Sequence, residues 1–339
     1  MQFTIRRIVQ GNICKDHFQA SKAPVRALRF DPQSLIFDPA KGWQVLVVDY
    51  NNAGDLRFKL AGVDTVISTI NGKAQLDLID AAAYAHVRRF VPSEFGGPPA
   101  QRPEGDPLDN QQRAAISRLS QLESQGMSFT VFTCGILYER FAPGGMSSSQ
   151  IGVNSAIGRE GKYMLNIRQR TAQLPYNTPD GHSAKICLTG ARDVAQFVVA
   201  AMGISSWPRE FRMRGERMSV RELVSEAEHA LSTFLPREFH LLSWLSLLQL
   251  LQLLQPVAMY LTTESSDCTF RVDRYTRTSL GDAMTLARAV RDEAQEMQLY
   301  HLIATAEGRY DFPTANLNQA VNHQPEKFRD YLARVWAAT

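Results

Sequence analysis

The feature that most constrains this chain is an alternation in its first half. Short apolar, β-branched runs appear at VRALRF (25–30), QVLVVDY (44–50), VDTVIST (63–69), RRFVP (88–92) and SFTVFTC (128–134). Between several of them lie stretches of helical periodicity, GDLRFKLAG, AQLDLIDAAAYAHV and QQRAAISRLSQLESQG. In the second of these, Leu76, Ile79, Ala83 and Val87 recur on one stripe. Strands alternating with helices of this length build βαβ units and a parallel, doubly wound sheet, so the predicted class is α/β. Near-continuous apolar strands such as VLVV fit a sheet covered on both faces. Residues 1–150 are expected to form this sheet, with elements near 186–216 returning to it as a further strand at 211–214. Residues 151–339 are expected mainly to build a smaller, partly helical domain over the carboxyl edge of the strands.

A ligand of such a sheet sits beyond the carboxyl ends of the strands, where strand order reverses. The end of the second strand carries Arg29 and Asp31. An acid there accepts from a ribose 2′-hydroxyl and an arginine accommodates a 2′-phosphate, so position alone does not choose between them. STINGKAQ follows the next strand, with Ser68, Thr69 and Asn71 as small polar groups and Gly72 to release the chain into a helix. Then comes PSEFGGPP, a rigid polar rim in which Pro92, Ser93 and Phe95 stand at the strand end.

Composition narrows the function classes. A chain of 339 residues with 44% hydrophobic and 21% charged residues has an ordinary globular balance, which excludes wholesale disorder. A net charge of +3, scattered along the chain, argues against a nucleic-acid partner. Cys14, Cys134, Cys187 and Cys268 lie far apart, without metal-ligand spacing, and read as free thiols in a reducing compartment. No metal site is expected, and without a signal-peptide core the expected location is cytoplasmic. LLSWLSLLQLLQLLQPVAMYL (241–261) has the length of a membrane span. Gln249, Gln252 and Gln255 gather on one side and Pro256 interrupts the helix, so an amphipathic helix covering a pocket or pairing subunits is the expectation, with no membrane partner. A homodimer stays open.

GVDTVISTINGKAQLDLIDAAAYAHVRRFVPSEFGGPP (62–99), above all its RRFVPSEFG core, resembles the NmrA-like and isoflavone reductase-like family of atypical short-chain dehydrogenases/reductases. GMSFTVFTCGILYERFAP, ICLTGARDVAQFVVAAM, GERMSVRELVSEAE and GRYDFPTANLN follow in the family's order, so the likeness covers most of the chain and looks closest to fungal members. The resemblance implies a Rossmann-type NAD(P)-binding domain, NADP(H) as cofactor, and reduction of aromatic or polyketide-like secondary metabolites. In some members it implies a redox sensor instead. Members carry G-x-x-G-x-x-G after the first strand. Here the pattern falls on Ile8, Gly11 and Cys14 in IRRIVQGNICKDHF, so only Gly11 survives and a weakened phosphate site is implied.

The family's reductases also use a lysine early in the helix after the PSEFG loop. This chain has no lysine between Lys73 and Lys162; Arg113, Ser117 or Arg118 takes the place, according to alignment. Arginine does not deprotonate in proteins and is a poor general acid or base. Tyr138 and Glu139 in GILYERF are the nearest candidates for proton transfer, with Tyr138 alternatively only lining the pocket. His182, in the loop YNTPDGHSAK, could close over a substrate. Three functions remain in view. One is an NAD(P)H-dependent reductase of a small, aromatic metabolite. Another is a dinucleotide-binding sensor without turnover. The third is a redox-neutral isomerase or dehydratase that has kept the fold.

Overall fold

The computed structural model describes residues 3–5, 25–29, 44–152, 157–177, 181–234 and 269–337. Strands β1 (Phe3–Ile5), β2 (Val25–Arg29), β3 (Gln44–Val47), β4 (Thr65–Ile67), β5 (Arg89–Val91) and β6 (Ser128–Phe129) form one sheet in the order β3-β2-β1-β4-β5-β6. Every pairing in it is parallel. The order reverses between β1 and β4, which places the ligand crevice at their carboxyl ends.

Successive strand residues face opposite sides, and the two sides have separate cores. Val66 and Phe90 pack with α1 (Ala53–Leu60), α2 (Lys73–Tyr84) and α3 (Gln112–Leu122) through Leu56, Leu60, Leu78, Ile79, Leu119 and Leu122. Ile67 and Val91 face α4 (Ala191–Ala201) through Val194, Phe197 and Val198. The doubly wound α/β architecture expected from the alternation is therefore present. One detail is corrected. The buried face of α2 is Gln75, Leu78, Ile79, Ala81 and Ala82, while Leu76 and Ala83 are only half-buried. The stripe is rotated because the helix turns the polar Gln75 inward to bond the neighbouring loop.

β7 (Val131–Thr133) continues β6 past Thr130 and pairs in parallel with β12 (Glu210–Arg212). β8 (Ile136–Leu137) lies parallel to β11 (Lys185–Thr189), whose other side takes β13 (Glu216–Ser219) in antiparallel fashion. β9 (Leu165–Asn166), β10 (Thr171–Leu174) and β14 (Arg271–Arg274) form a small mixed sheet. The helices α5 (Val220–Phe234), α6 (Arg277–Ala289), α7 (Glu293–Ala306), α8 (Asn316–Ala320) and α9 (Phe328–Trp336) complete the chain. Except for α8, whose Leu317 joins the α4 side of the sheet, they contribute to a third core that holds Tyr138, Phe141, Tyr163, Leu223, Leu299, Leu302, Phe328 and Tyr331. The apolar segment 241–261 lies outside the described residues. Among the described helices none is long and apolar enough to cross a membrane.

Candidate functional site

The crevice at the carboxyl ends of β1 and β4 is built from residues with few alternatives. Ser68 leaves β4 fully buried, and its N–H donates to the Val91 carbonyl at 2.8 Å, tying the two strand ends together. Thr69 follows with a buried hydroxyl that has no partner among the described residues. Gly72 turns at φ 69°, a conformation costly for other residues, and starts α2. Asn71 is exposed. Gln75, fully buried on the first turn of α2, accepts the Ser93 N–H on its Oε1 at 2.6 Å, while its Nε2 lacks a partner. Gln112 at the start of α3 donates to the Ser93 carbonyl at 2.9 Å. Ser93 is thus held from both sides, with Pro92 buried and Phe95 half-buried beside it. A buried donor and a buried hydroxyl left without partners are what a polar ligand in this crevice would satisfy. Gly11, Ile8, Cys14 and Asp31 lie outside the described residues. Arg29 is the last residue of β2, so its backbone stands at the same edge, beside β1.

An ionic frame supports the rim. Glu94 is 1% exposed and receives Arg102 through both guanidinium ends, at 2.5 and 3.2 Å. Arg102 also holds Asp109 at 3.0 Å, and Arg309 pairs with Asp106. Burial pushes the Glu94 carboxyl above its ordinary range even though Arg102 opposes the shift. The Gly96 carbonyl accepts the N–H groups of Cys134 and Gly135, at 3.0 and 2.9 Å. At Gly97 a side chain would strike the Arg309 carbonyl and the Tyr310 ring, so only glycine admits this approach. The rim is therefore pinned to β7, to β8 and to the turn after α7.

The catalytic candidates read from sequence do not converge. Tyr138 is sealed in the third core: its ring packs against Phe328 and Tyr331, and its hydroxyl donates to the Glu326 carbonyl at 3.2 Å. Burial and surrounding carboxylates push its phenol far up, so it is a packing residue. Arg113 spends its guanidinium on the carbonyls of Arg102 and Pro103 at 2.8 and 2.9 Å, fastening the rim from outside. Ser117 lies on the exposed face of α3, and Arg118 pairs with Asp80. Glu139 is buried, with its oxygens on the Ala191 N–H at the start of α4. His182 is exposed.

Sequence reading missed a different group. Arg140 lies against the third core, yet stays partly accessible, as does His301. Its guanidinium stands 5.3 Å from the Tyr163 ring centre. His301 on α7 packs edge-on to Tyr163 and stacks on Tyr310, with its Nδ1 3.1 Å from the Tyr310 hydroxyl. Thr305 donates to the His301 carbonyl at 2.7 Å and accepts from the Tyr163 hydroxyl at 2.8 Å. Burial, aided by the charges of Arg140 and Arg309, holds the His301 imidazole well below its ordinary range, and burial raises the phenols of Tyr163 and Tyr310. All three are neutral at neutral pH. The Tyr310 ring lies next to Gly97, so this cluster adjoins the rim. Its members come from four separate stretches, and only the polar letters of GILYERF hinted at it.

A second cleft, of about 220 Å3, is lined by Arg88, Arg89, Ser128, Thr130 and Trp207. It lies at the amino ends of β5 and β6, the edge opposite the crevice, and is not the site. Among the described residues no group of His, Cys, Asp and Glu could hold a metal ion.

Residues 11–147 match a family model described as NAD(P)H-binding. No curated protein matches the chain. Among solved structures it is similar to leucoanthocyanidin reductase from Vitis vinifera in a ternary complex, at 14% identity over 100% of both chains with a TM-score of 0.63. It is similar to an NADPH-dependent quinone oxidoreductase from Escherichia coli complexed with NADPH, at 14% identity over 99% of this chain and 100% of that one, TM-score 0.63. A nucleoside-diphosphate-sugar epimerase from Staphylococcus aureus aligns at 14% identity over 98% and 100%, TM-score 0.64. Likeness at this identity carries the fold alone.

Proposed function

We propose that the protein is an NADP(H)-dependent reductase of a small aromatic metabolite, of the NmrA-like and isoflavone reductase-like type. The observation that carries this reading is the reversal of strand order between β1 and β4, with β4 inside the segment 11–147 that matches a family model described as NAD(P)H-binding. The dinucleotide, when bound, supplies a hydride. The protein's own residues supply everything else. Ser68, Thr69, Gln75 and Ser93 shape the crevice, and Arg29 stands where a 2′-phosphate is recognised. Tyr163, His301 and Tyr310 form an aromatic cluster beside it. The Tyr310 hydroxyl, still protonated at neutral pH, donates to the substrate oxygen that gains negative charge. Neutral His301, bonded to it, relays the replacement proton from solvent, taking one on its other ring nitrogen as it gives one up at Nδ1.

One observation favours a second reading, a dinucleotide sensor without turnover. α3 brings no proton donor to the rim, since Arg113 is committed to backbone carbonyls and Ser117 faces outward. Titration of the purified protein with NADPH, NADH and their oxidised forms, read by nicotinamide fluorescence and calorimetry, tests both. Binding with NADPH oxidation on a quinone or aromatic ketone panel supports the reductase, and binding without turnover supports the sensor. Absence of binding to all four nucleotides sinks both.

A further inference from the structure

Among the described residues of the site, Arg140 is the half-buried guanidinium with no carboxylate opposite it. Arg102 has Glu94 and Asp109, and Arg309 has Asp106. Among the described residues Arg140 forms no ion pair. Its single protein hydrogen bond runs from Nη1 to the Ile157 carbonyl at 3.5 Å, the limit of such a bond, and its buried Nε has no partner. The groups nearest in charge are Tyr163, Tyr310 and Cys134, and burial pushes all three toward their neutral forms. A guanidinium cannot escape by losing its proton. A desolvated, unpaired cation is costly unless an anion completes it, and a planar fork of donors matches a carboxylate.

We propose that this cluster binds an aromatic carboxylate, its anion on the guanidinium donors of Arg140 and its ring against His301, beside Tyr163 and Tyr310. Arg140 and His301 are the partly accessible members of the cluster, and the ligand approaches through them. This deepens the reductase reading, because it assigns a charge to the substrate at the same cluster.

The test compares cinnamate with cinnamamide, alike in shape and different in charge, by calorimetry on the full chain with and without NADPH. Cinnamate should bind at least about tenfold tighter, the scale of a charge-assisted bidentate contact. The preference should vanish in Arg140→Gln and survive in Arg140→Lys. Equal binding of the two ligands by the wild type, or a preference that persists in Arg140→Gln, overturns the proposal. Should Arg140→Gln fail to fold, phenylglyoxal modification of the wild type gives the same decision: cinnamate must protect Arg140 and cinnamamide must not. None of these readouts requires turnover. Carboxylate preference without nucleotide binding would retain this proposal and remove the reductase. Nucleotide binding without carboxylate preference would do the reverse.

Discussion

Both carboxylate oxygens of Glu139 accept from the Ala191 N–H, at 2.9 and 3.1 Å, with help from the residue's own N–H. That is little compensation for a side chain 3% exposed, and burial lifts its pKa to about 7. The folded state therefore binds this proton more tightly than the unfolded chain does. The contribution to stability is full below the ordinary carboxyl value and is lost as pH rises towards 7. Glu139→Gln removes the titration. Between pH 5 and 8 the wild type should lose about 2–3 kcal/mol relative to that variant, at roughly 1.4 kcal/mol per pKa unit. Urea melts at the two pH values decide it, and a difference independent of pH refutes it. A second residue prediction concerns the nucleotide. Arg29→Ala should weaken NADPH binding by about tenfold or more while leaving NADH nearly unchanged, as a charged hydrogen bond of 1.5–3 kcal/mol to a 2′-phosphate requires. Equal losses for both nucleotides would assign Arg29 a structural role.

The rim after β5 behaves as one element because its charge is internal. Arg102→Met strands Glu94 in the core and should destabilise the protein by about 3–5 kcal/mol. Glu94→Gln added to it should recover much of the loss, and simple additivity in the double-mutant cycle would show that the pair is not coupled. How this element was legible is instructive. The strands and helices of the sheet announce themselves by period, since burial on two faces repeats locally along the chain. PSEFGG stood out by its turn residues for the same reason. Gln75 escaped notice because a polar residue on a buried face breaks the period, and its reason, the Ser93 N–H, lies 18 residues away. The Arg140 cluster was illegible for a stronger reason. Residues 140, 163, 301 and 310 meet only through packing of the third core, and nothing in their local patterns couples them. Tyr138 was misjudged by the same logic: a polar tip near a strand end suggested a site, whereas α9 covers it from nearly 200 residues away.

At the scale of the molecule, α9 closes the structure. Phe328, Tyr331 and Leu332 are buried against the third core, and the Trp336 indole donates to the Phe141 carbonyl at 2.9 Å. Tyr331→Ala should cost about 3–5 kcal/mol, as for other large aromatic truncations, measured by chemical denaturation. A loss under 1 kcal/mol would mean that α9 is a dispensable cover. The pairing of β7 with β12 has a consequence for synthesis as well. Emerging from the ribosome amino end first, the nascent chain holds an unpaired strand edge at β7 until Glu210–Arg212 follow about 80 residues later. The rings of Tyr138 and Phe141 wait longer, until α9 is released. Vectorial folding is thus barred from finishing until α9 has been made.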